Sequence, residues 1–125
     1  MVKFYRCLHC GSIVAKLNDL GPGPVCCGEP MKELKANEVD AAQEKHVPAF
    51  VEVDGRIDVQ VGEVIHPMDP DHYIEWIFLL TTKGSRFAFL KPGDAPRASF
   101  ALADDEVVLE VYAYCNKHGL WKKAA

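Results

Sequence analysis

The residues best able to do chemistry in this chain are five cysteines and five histidines, and the two types have complementary distributions. Four cysteines lie within the first 27 residues, and the fifth is Cys115. Four histidines lie in the rest of the chain, while His9 lies inside the first cysteine motif. Thiolates and imidazoles are common ligands of zinc and of redox metals, and an odd number of cysteines disfavours a disulfide framework. The sequence therefore predicts metal sites.

The first predicted site uses the thiolates of Cys7, Cys10, Cys26 and Cys27. A tetrahedral set of four sulfurs suits zinc or iron equally. Neighbouring side chains tend to point apart, so the adjacent pair can share one metal only with a twisted backbone, which a following glycine would relieve. Such a distorted site suits a redox iron, and zinc stays open. His9 is expected to be exposed between the ligands without a chemical role.

The second predicted site combines one cysteine with the remaining histidines, all of which lie in loops or at strand ends beside proline or glycine. Its candidate ligands are His46, His66, His72, Cys115 and His118. This set has too many imidazoles for a blue-copper site and differs from the four-ligand sets of structural zinc. Four imidazoles with one thiolate would leave a sixth position open, as a redox iron that binds a small oxygen species requires.

Two charged residues, Glu44 and Lys45, come directly before His46. A surface pair of this kind is usually only solvated. Beside an open metal position, Lys45 would attract an anion against the net charge of −4, and Glu44 would reach the metal after its oxidation.

The elements that must position these residues divide into two predicted domains, 1–36 and 37–125. The first has too few apolar residues to fold unaided, so a metal would supply stability. The stretch 35–43 is polar and is interpreted as a linker. In the second domain, β-branched and apolar runs separated by turn signals predict an antiparallel sandwich or barrel. The predicted strands are Ala49–Val53, Ile57–Val61, Ile74–Leu80, Phe87–Leu90, Ser99–Leu102 and Val107–Tyr114.

Composition excludes several classes of function. The net charge of −4 and the absence of basic runs argue against a nucleic-acid or anionic-membrane binder. No apolar stretch approaches the roughly 18 residues of a membrane span. The first residues run into the cysteine motif without an apolar signal region, so a cytoplasmic location is expected.

Longer motifs surround these candidate ligands and carry a family resemblance over nearly the whole chain. They are Cys7-x-x-Cys10, Val25–Met31, Glu44–Pro48, His66–Met68, His72–Trp76, Leu90–Pro96 and Cys115–Trp121. In these motifs the sequence resembles desulfoferrodoxin, the two-iron class of superoxide reductases, with a desulforedoxin-like N-terminal segment. No ligand position departs from the family pattern.

The resemblance implies an all-β chain: a desulforedoxin-like module followed by an immunoglobulin-like antiparallel β-sandwich, assembled as a homodimer. It implies one iron at the four N-terminal cysteines and a catalytic iron held by the four later histidines, with Cys115 as the axial ligand. Superoxide would be reduced to hydrogen peroxide at the ferrous centre, and an external donor such as rubredoxin would return the electron. Lys45 and Glu44 would assist catalysis.

Three other hypotheses compete with this one. An electron carrier would use the first iron alone, but it gains nothing from an open coordination position at the second. A zinc-bound interaction module would be colourless, whereas ferric thiolate sites absorb visible light. A superoxide dismutase is the nearest enzymatic rival.

Overall fold

The structure is a computed structural model that describes residues 2–125. The chain forms two compact units, Met1–Lys35 and Ala36–Ala125. This division concerns compactness alone, so the domain boundary proposed after residue 36 stays a prediction. Within residues 2–125, no helix is long and apolar enough to cross a membrane.

The first unit consists of short antiparallel strands. They are β1 (Lys3–Arg6), β2 (Ile13–Lys16), β3 (Val25–Cys26), β4 (Glu29–Pro30) and β5 (Lys32–Leu34). One sheet has the order β2-β1-β5, and β3 pairs with β4 in a separate hairpin. The small buried cluster contains Tyr5, Cys7 and Met31, whereas Leu8, Leu17 and Leu20 are exposed. So small a core is typical of modules that depend on a metal for stability.

The second unit is a sandwich of two antiparallel sheets. Its elements are α1 (Gln43–His46), β6 (Pro48–Val53), β7 (Arg56–Val61), β8 (Ile74–Thr81), β9 (Gly84–Phe89), β10 (Arg97–Ala101), β11 (Val108–Cys115) and β12 (Gly119–Ala124). The sheet orders are β10-β7-β6 and β12-β11-β8-β9. A continuous apolar core joins residues of both sheets, including Val59, Leu79, Val111 and Cys115. The predicted fold class, a cysteine module followed by a β-sandwich, is confirmed.

Two details of the second unit differ from the sequence-based expectations. Strand β12 was not predicted, because Leu120 and Trp121 are consecutive and both buried, which breaks the alternation expected of a strand. The predicted linker, residues 35–43, is also hydrogen-bonded to the sandwich through one of its residues. Asn37 donates its backbone N–H to the Leu120 carbonyl at 3.0 Å, and its side chain bonds both backbone groups of Lys122.

Candidate metal centres

The four N-terminal cysteines converge on one point. Their sulfur atoms all lie within 4.8 Å of one another. The Sγ atoms of Cys10 and Cys26 are 3.7 Å apart, and those of Cys26 and Cys27 are 4.0 Å apart. A tetrahedron with metal–sulfur bonds of about 2.3 Å has edges of about 3.8 Å. The four thiols therefore fit one tetrahedrally coordinated metal ion.

The adjacent pair of cysteines reaches this arrangement through a left-handed backbone. Cys27 has φ 52° and Gly28 has φ 75°. A non-glycine residue in this region costs roughly 1–2 kcal/mol, whereas glycine adopts it freely. The structure thus shows the backbone twist expected at Cys26-Cys27, with Gly28 continuing the turn.

Hydrogen bonding makes the four sulfurs unequal before any metal binds. The backbone N–H of Cys10 points at Cys7 Sγ at 3.5 Å and lowers the pKa of the Cys7 thiol to about 6. Hydrogen bonds with the sulfurs of Cys10 and Cys7 raise the pKa of Cys26 well above its ordinary value. A bound cation would displace the protons that the remaining thiols retain.

His9 lies outside this cluster, as expected. Its Nε2 is 2.9 Å from an oxygen of Glu29, and both side chains are more than half exposed. This contact joins the turn after Cys7 to the hairpin that contains Cys26, but an exposed pair of this kind contributes little to stability.

Cys10→Ser is expected to remove one metal ion from each chain and to leave the other site filled. Cys10 is exposed, so serine adds no buried polar group, but a hydroxyl does not replace a thiolate ligand. Metal analysis of purified protein should give one ion per chain instead of two. Leu8→Ser is the control, because Leu8 is equally exposed in the same turn and offers no ligand. Two ions per chain in C10S would remove Cys10 from the site.

The register of two strand pairs brings the second group of residues together. Pro48 of β6 pairs with Val61 of β7, so His46 before β6 meets His66 after β7. Cys115 of β11 pairs with Ile74 of β8, so His72 before β8 meets the turn after β11 that carries His118. The same end of the sandwich therefore presents all the predicted residues of the second site.

The four imidazoles form a closed ring in the order His46, His66, His72 and His118. Successive ring centroids are 4.7, 4.7, 5.0 and 4.9 Å apart, with interplanar angles from 79° to 86°. The opposite pair His46 and His72 is separated by 6.3 Å, with an interplanar angle of 29°. This is a roughly four-fold arrangement around a common centre.

Two of the nitrogen atoms at that centre, one from His46 and one from His66, have no proton to share. His46 Nδ1 is 2.7 Å from the Ala42 carbonyl, and His66 Nδ1 is 2.6 Å from the Pro67 carbonyl. A carbonyl only accepts, so each Nδ1 carries the proton and each Nε2 is left as an acceptor. These two Nε2 atoms nevertheless face each other at 3.2 Å. Two acceptors at this distance repel each other, and a cation bound between them would remove this repulsion.

Two further observations also indicate that a metal ion binds at this centre. His118 Nδ1 lies 3.1 Å from His46 Nε2. His72 Nε2 is buried and has no hydrogen-bond partner among the described residues. An orphaned buried nitrogen is costly, and coordination to a metal would satisfy it. Adjacent nitrogens bound to one metal at about 2.1 Å would be about 3.0 Å apart, close to the observed spacing.

Burial favours the neutral form of three of these imidazoles, which is the form that binds a metal. Desolvation lowers the pKa of His46 and of His72, and it lowers the pKa of His66 to about 4. At neutral pH these three rings therefore offer lone pairs rather than positive charges, and little proton competition opposes metal binding.

Cys115 supplies the sulfur of this site. It is fully buried, and its Sγ lies within 4.8 Å of the ligand atoms of His46, His66 and His72. Burial raises the pKa of its thiol, while backbone N–H groups of Lys117 and His118 act in the opposite direction. The N–H of His118 is 3.4 Å from the sulfur. A metal would convert this thiol to a thiolate.

Glu44 and Lys45 lie in α1, beside His46 but outside the ring of ligand atoms. Both side chains are exposed, and within residues 2–125 neither takes part in an ion pair. Their charges are therefore available to solutes that approach the site.

Trp121 belongs to this site, although no role was predicted for it beyond its place in the Cys115–Trp121 motif. It is fully buried, and its ring lies 4.9 Å from that of His46. Its Nε1–H donates to the His118 carbonyl at 3.1 Å. A buried tryptophan usually finds such a partner, but sequence alone does not say which one.

Family models and similar proteins of known sequence indicate the same family for this chain. The desulfoferrodoxin family model matches residues 38–124, and the model of the desulfoferrodoxin N-terminal domain matches residues 1–34. A desulfoferrodoxin of Nitratidesulfovibrio vulgaris is 49% identical over 123 residues, which cover 98% of this chain and 96% of the relative. A superoxide reductase of Pyrococcus horikoshii is 36% identical over 96 residues, which cover 63% of this chain and 84% of that protein.

A solved structure is similar over the same extent. The crystal structure of the superoxide reductase from Treponema pallidum has a TM-score of 0.83 and 38% sequence identity, and the match covers 98% of each chain.

Proposed function

The chain belongs to the desulfoferrodoxin family, and on this premise we propose that it is a superoxide reductase that converts superoxide to hydrogen peroxide at its histidine–thiolate site. The observation that carries the proposal is the ring of four imidazoles closed around a common centre beside one buried thiol. Two proteins that are similar to this chain, from Pyrococcus horikoshii and Treponema pallidum, are named superoxide reductase.

Two iron ions per chain complete the protein. The first fits the four-cysteine cluster, and the second fits the histidine–cysteine cluster. The proposed ligands of the first are Cys7, Cys10, Cys26 and Cys27. Those of the second are His46, His66, His72, His118 and Cys115. When bound in the ferrous state, the second iron supplies the one electron that superoxide needs, and two protons complete hydrogen peroxide.

The residues around the second site have separate roles in this proposal. The Nζ of Lys45 attracts the superoxide anion and orients a water that delivers a proton. With iron bound, the carboxylate of Glu44 would supply an oxygen ligand that competes with the product and so would help its release. The sulfur of Cys115, buried and held by backbone N–H groups, donates electron density from within the protein.

We also propose the remaining features of the working protein from the family resemblance. Rubredoxin or a similar small donor returns the electron, the chain works as a homodimer, and the location is cytoplasmic.

Lys45→Ile is expected to slow the reaction with superoxide by about tenfold while both irons stay bound, because a local positive charge raises the encounter rate of an anion. Pulse radiolysis of the reduced protein would measure the second-order rate constant. The difference from the parent should shrink at high salt, since screening weakens the same attraction.

Lys83→Ile is the matched control, because it removes the same charge after the far end of β8, beyond Thr81. The side chain of Lys83 forms an exposed ion pair with Asp105. An unchanged rate constant in K45I, or an equal loss in K83I, would remove Lys45 from the mechanism.

A single-turnover experiment tests the proposed function against the electron-carrier alternative. Iron-loaded protein is reduced without oxygen and mixed rapidly with superoxide. The proposal expects the visible absorption of the oxidised histidine–thiolate centre to appear at the rate at which superoxide disappears. If superoxide decays at its spontaneous rate and this centre stays reduced, the carrier alternative is preferred.

A further inference from the structure

We propose that Asn116 is a positioning residue of the histidine–thiolate site, which holds His72 in place relative to Cys115 and His118. The inference rests on the proposed metal site and assigns a task to a residue that offers no ligand atom.

Three hydrogen bonds connect Asn116 to the residues on either side of His72. The Tyr73 N–H donates to Asn116 Oδ1 at 2.9 Å, and the Asn116 N–H donates to the Tyr73 carbonyl at 3.1 Å. Asn116 Nδ2 donates to the Asp71 carbonyl at 3.2 Å. Because a backbone N–H requires an acceptor and a carbonyl requires a donor, these partners fix which amide atom is oxygen.

The loop before β8 needs such a connection. His72 exchanges two backbone hydrogen bonds with Asp69, at 3.0 and 3.1 Å, but these close the loop on itself. Asn116 instead ties the loop to the turn that follows β11, where Cys115 and His118 lie. The Asn116 side chain thereby adds to the pairing of Cys115 with Ile74 a second link between the ligands of two separate chain segments.

His72 is held differently from its neighbours in the ring. His46 and His66 are each oriented by a carbonyl 2.7 or 2.6 Å from Nδ1. At His72, the hydrogen bonds act on the backbone of the flanking residues. Its buried Nε2 points to the centre without a protein partner. Correct placement of this nitrogen therefore depends on the Asn116 clamp.

Only a side chain with both an acceptor and a donor can form this clamp. Aspartate keeps the acceptor for Tyr73 but presents a second oxygen to the Asp71 carbonyl, where two acceptors repel. Loss of contacts that orient metal ligands typically costs about 10–100-fold in metal affinity. N116D should therefore loosen one end of the His72 loop and weaken the site by this factor.

Asn37 provides a closely matched control. It makes the same three kinds of bond, with the Leu120 carbonyl and with both backbone groups of Lys122. Among the described residues, the hydrogen bonds of Asn37 reach no proposed ligand, and its φ of 64° is a conformation that aspartate also tolerates. N37D therefore reports what loss of such a clamp does to stability alone.

The experiment uses Co²⁺ as the probe in full-length protein that carries Cys10→Ser, so that one site remains. The dissociation constant comes from competition with a chelator, and the cobalt–thiolate absorption band reports the geometry around Cys115. We expect N116D to raise the dissociation constant about 10–100-fold and to shift the band. N37D should lower the melting temperature with the dissociation constant and the band unchanged. N116S, which retains only a short hydroxyl, should weaken binding at least as much, and it keeps the test decisive if N116D does not fold.

The outcomes separate this inference from the proposed function. If the parent binds Co²⁺ with a thiolate band and N116D and N116S match it in affinity and band, Asn116 has no positioning role. If N37D weakens Co²⁺ binding as much as N116D, the effect is one of general stability and the inference is overturned. A parent that shows no cobalt–thiolate band contradicts the proposed metal site itself, and with it this inference.

Discussion

Cys115→Ser is expected to abolish the visible absorption of the histidine–thiolate centre and to reduce superoxide reductase activity at least about 100-fold. Changes in residues that merely orient ligands cost about 10–100-fold, so loss of a ligand should cost no less. Cys115 is fully buried beside three of the imidazoles, so water cannot readily take the place of its sulfur. A serine hydroxyl stays protonated where a thiol becomes a thiolate on metal binding.

The measurement compares C115S with Ala113→Ser, after both proteins have been loaded with iron and their metal contents determined. Ala113 is equally buried two residues earlier on β11, so A113S reports the cost of a new buried hydroxyl. A113S should keep the absorption band and the activity, even if it is less stable. Retention of both properties by C115S would show that Cys115 is not a ligand of this metal.

Gly62→Ala is expected to lower the free energy of unfolding of the second unit by about 1–3 kcal/mol and to weaken its metal site. A Cβ atom at this position would lie 2.6 Å from the Glu44 carbonyl oxygen, 2.8 Å from that of Val47 and 3.0 Å from the Lys45 carbonyl carbon. All three are backbone atoms, so no flexible side chain can move aside. The segment that carries Glu44, Lys45 and His46 must shift instead.

The loop that contains Gly62 carries His66 and is hydrogen-bonded to the segment that carries His46. The Val64 N–H donates to the Glu44 carbonyl at 2.9 Å, and the His66 N–H donates to the Val61 carbonyl at 2.9 Å. A displacement at Gly62 therefore acts on His46 and His66 together. Urea denaturation and iron content would measure the two effects in the same preparation.

Gly23→Ala serves as the control for this substitution. A Cβ at Gly23 would meet only Tyr5 Cε2 at 3.6 Å, an ordinary contact. G23A should leave the unfolding of the second unit unchanged. A G62A protein whose stability lies within about 0.5 kcal/mol of the parent, with a full complement of iron, would contradict the close packing at Gly62.

The sequence predicted the ligand types because they depend on composition and local setting. Four histidines beside proline or glycine, and a cysteine three residues before the last of them, already indicate a mixed nitrogen–sulfur site. The twist at Cys26-Cys27 followed from the adjacency of two ligands, and the structure shows it as left-handed backbone at Cys27 and Gly28.

The arrangement of those ligands could not be predicted, since it depends on long-range register. The order of the imidazole ring follows from the pairing of Pro48 with Val61 and of Cys115 with Ile74. Neither pairing leaves a local signal in the sequence. For the same reason the sequence contains no signal that Gly62 leaves no room for a Cβ atom, since the close approach of the Glu44 carbonyl depends on how the segment before β6 lies beside the end of β7.

The central claim, that this chain reduces superoxide rather than dismutating it, is tested most directly by its products. Reduced, iron-loaded protein with an excess of electron donor receives a controlled flux of superoxide, while peroxide and dioxygen are quantified together. We expect one molecule of peroxide for each superoxide consumed and no dioxygen from the reaction. Dioxygen formed in equal amount with peroxide would identify a dismutase and exclude the reductase reaction.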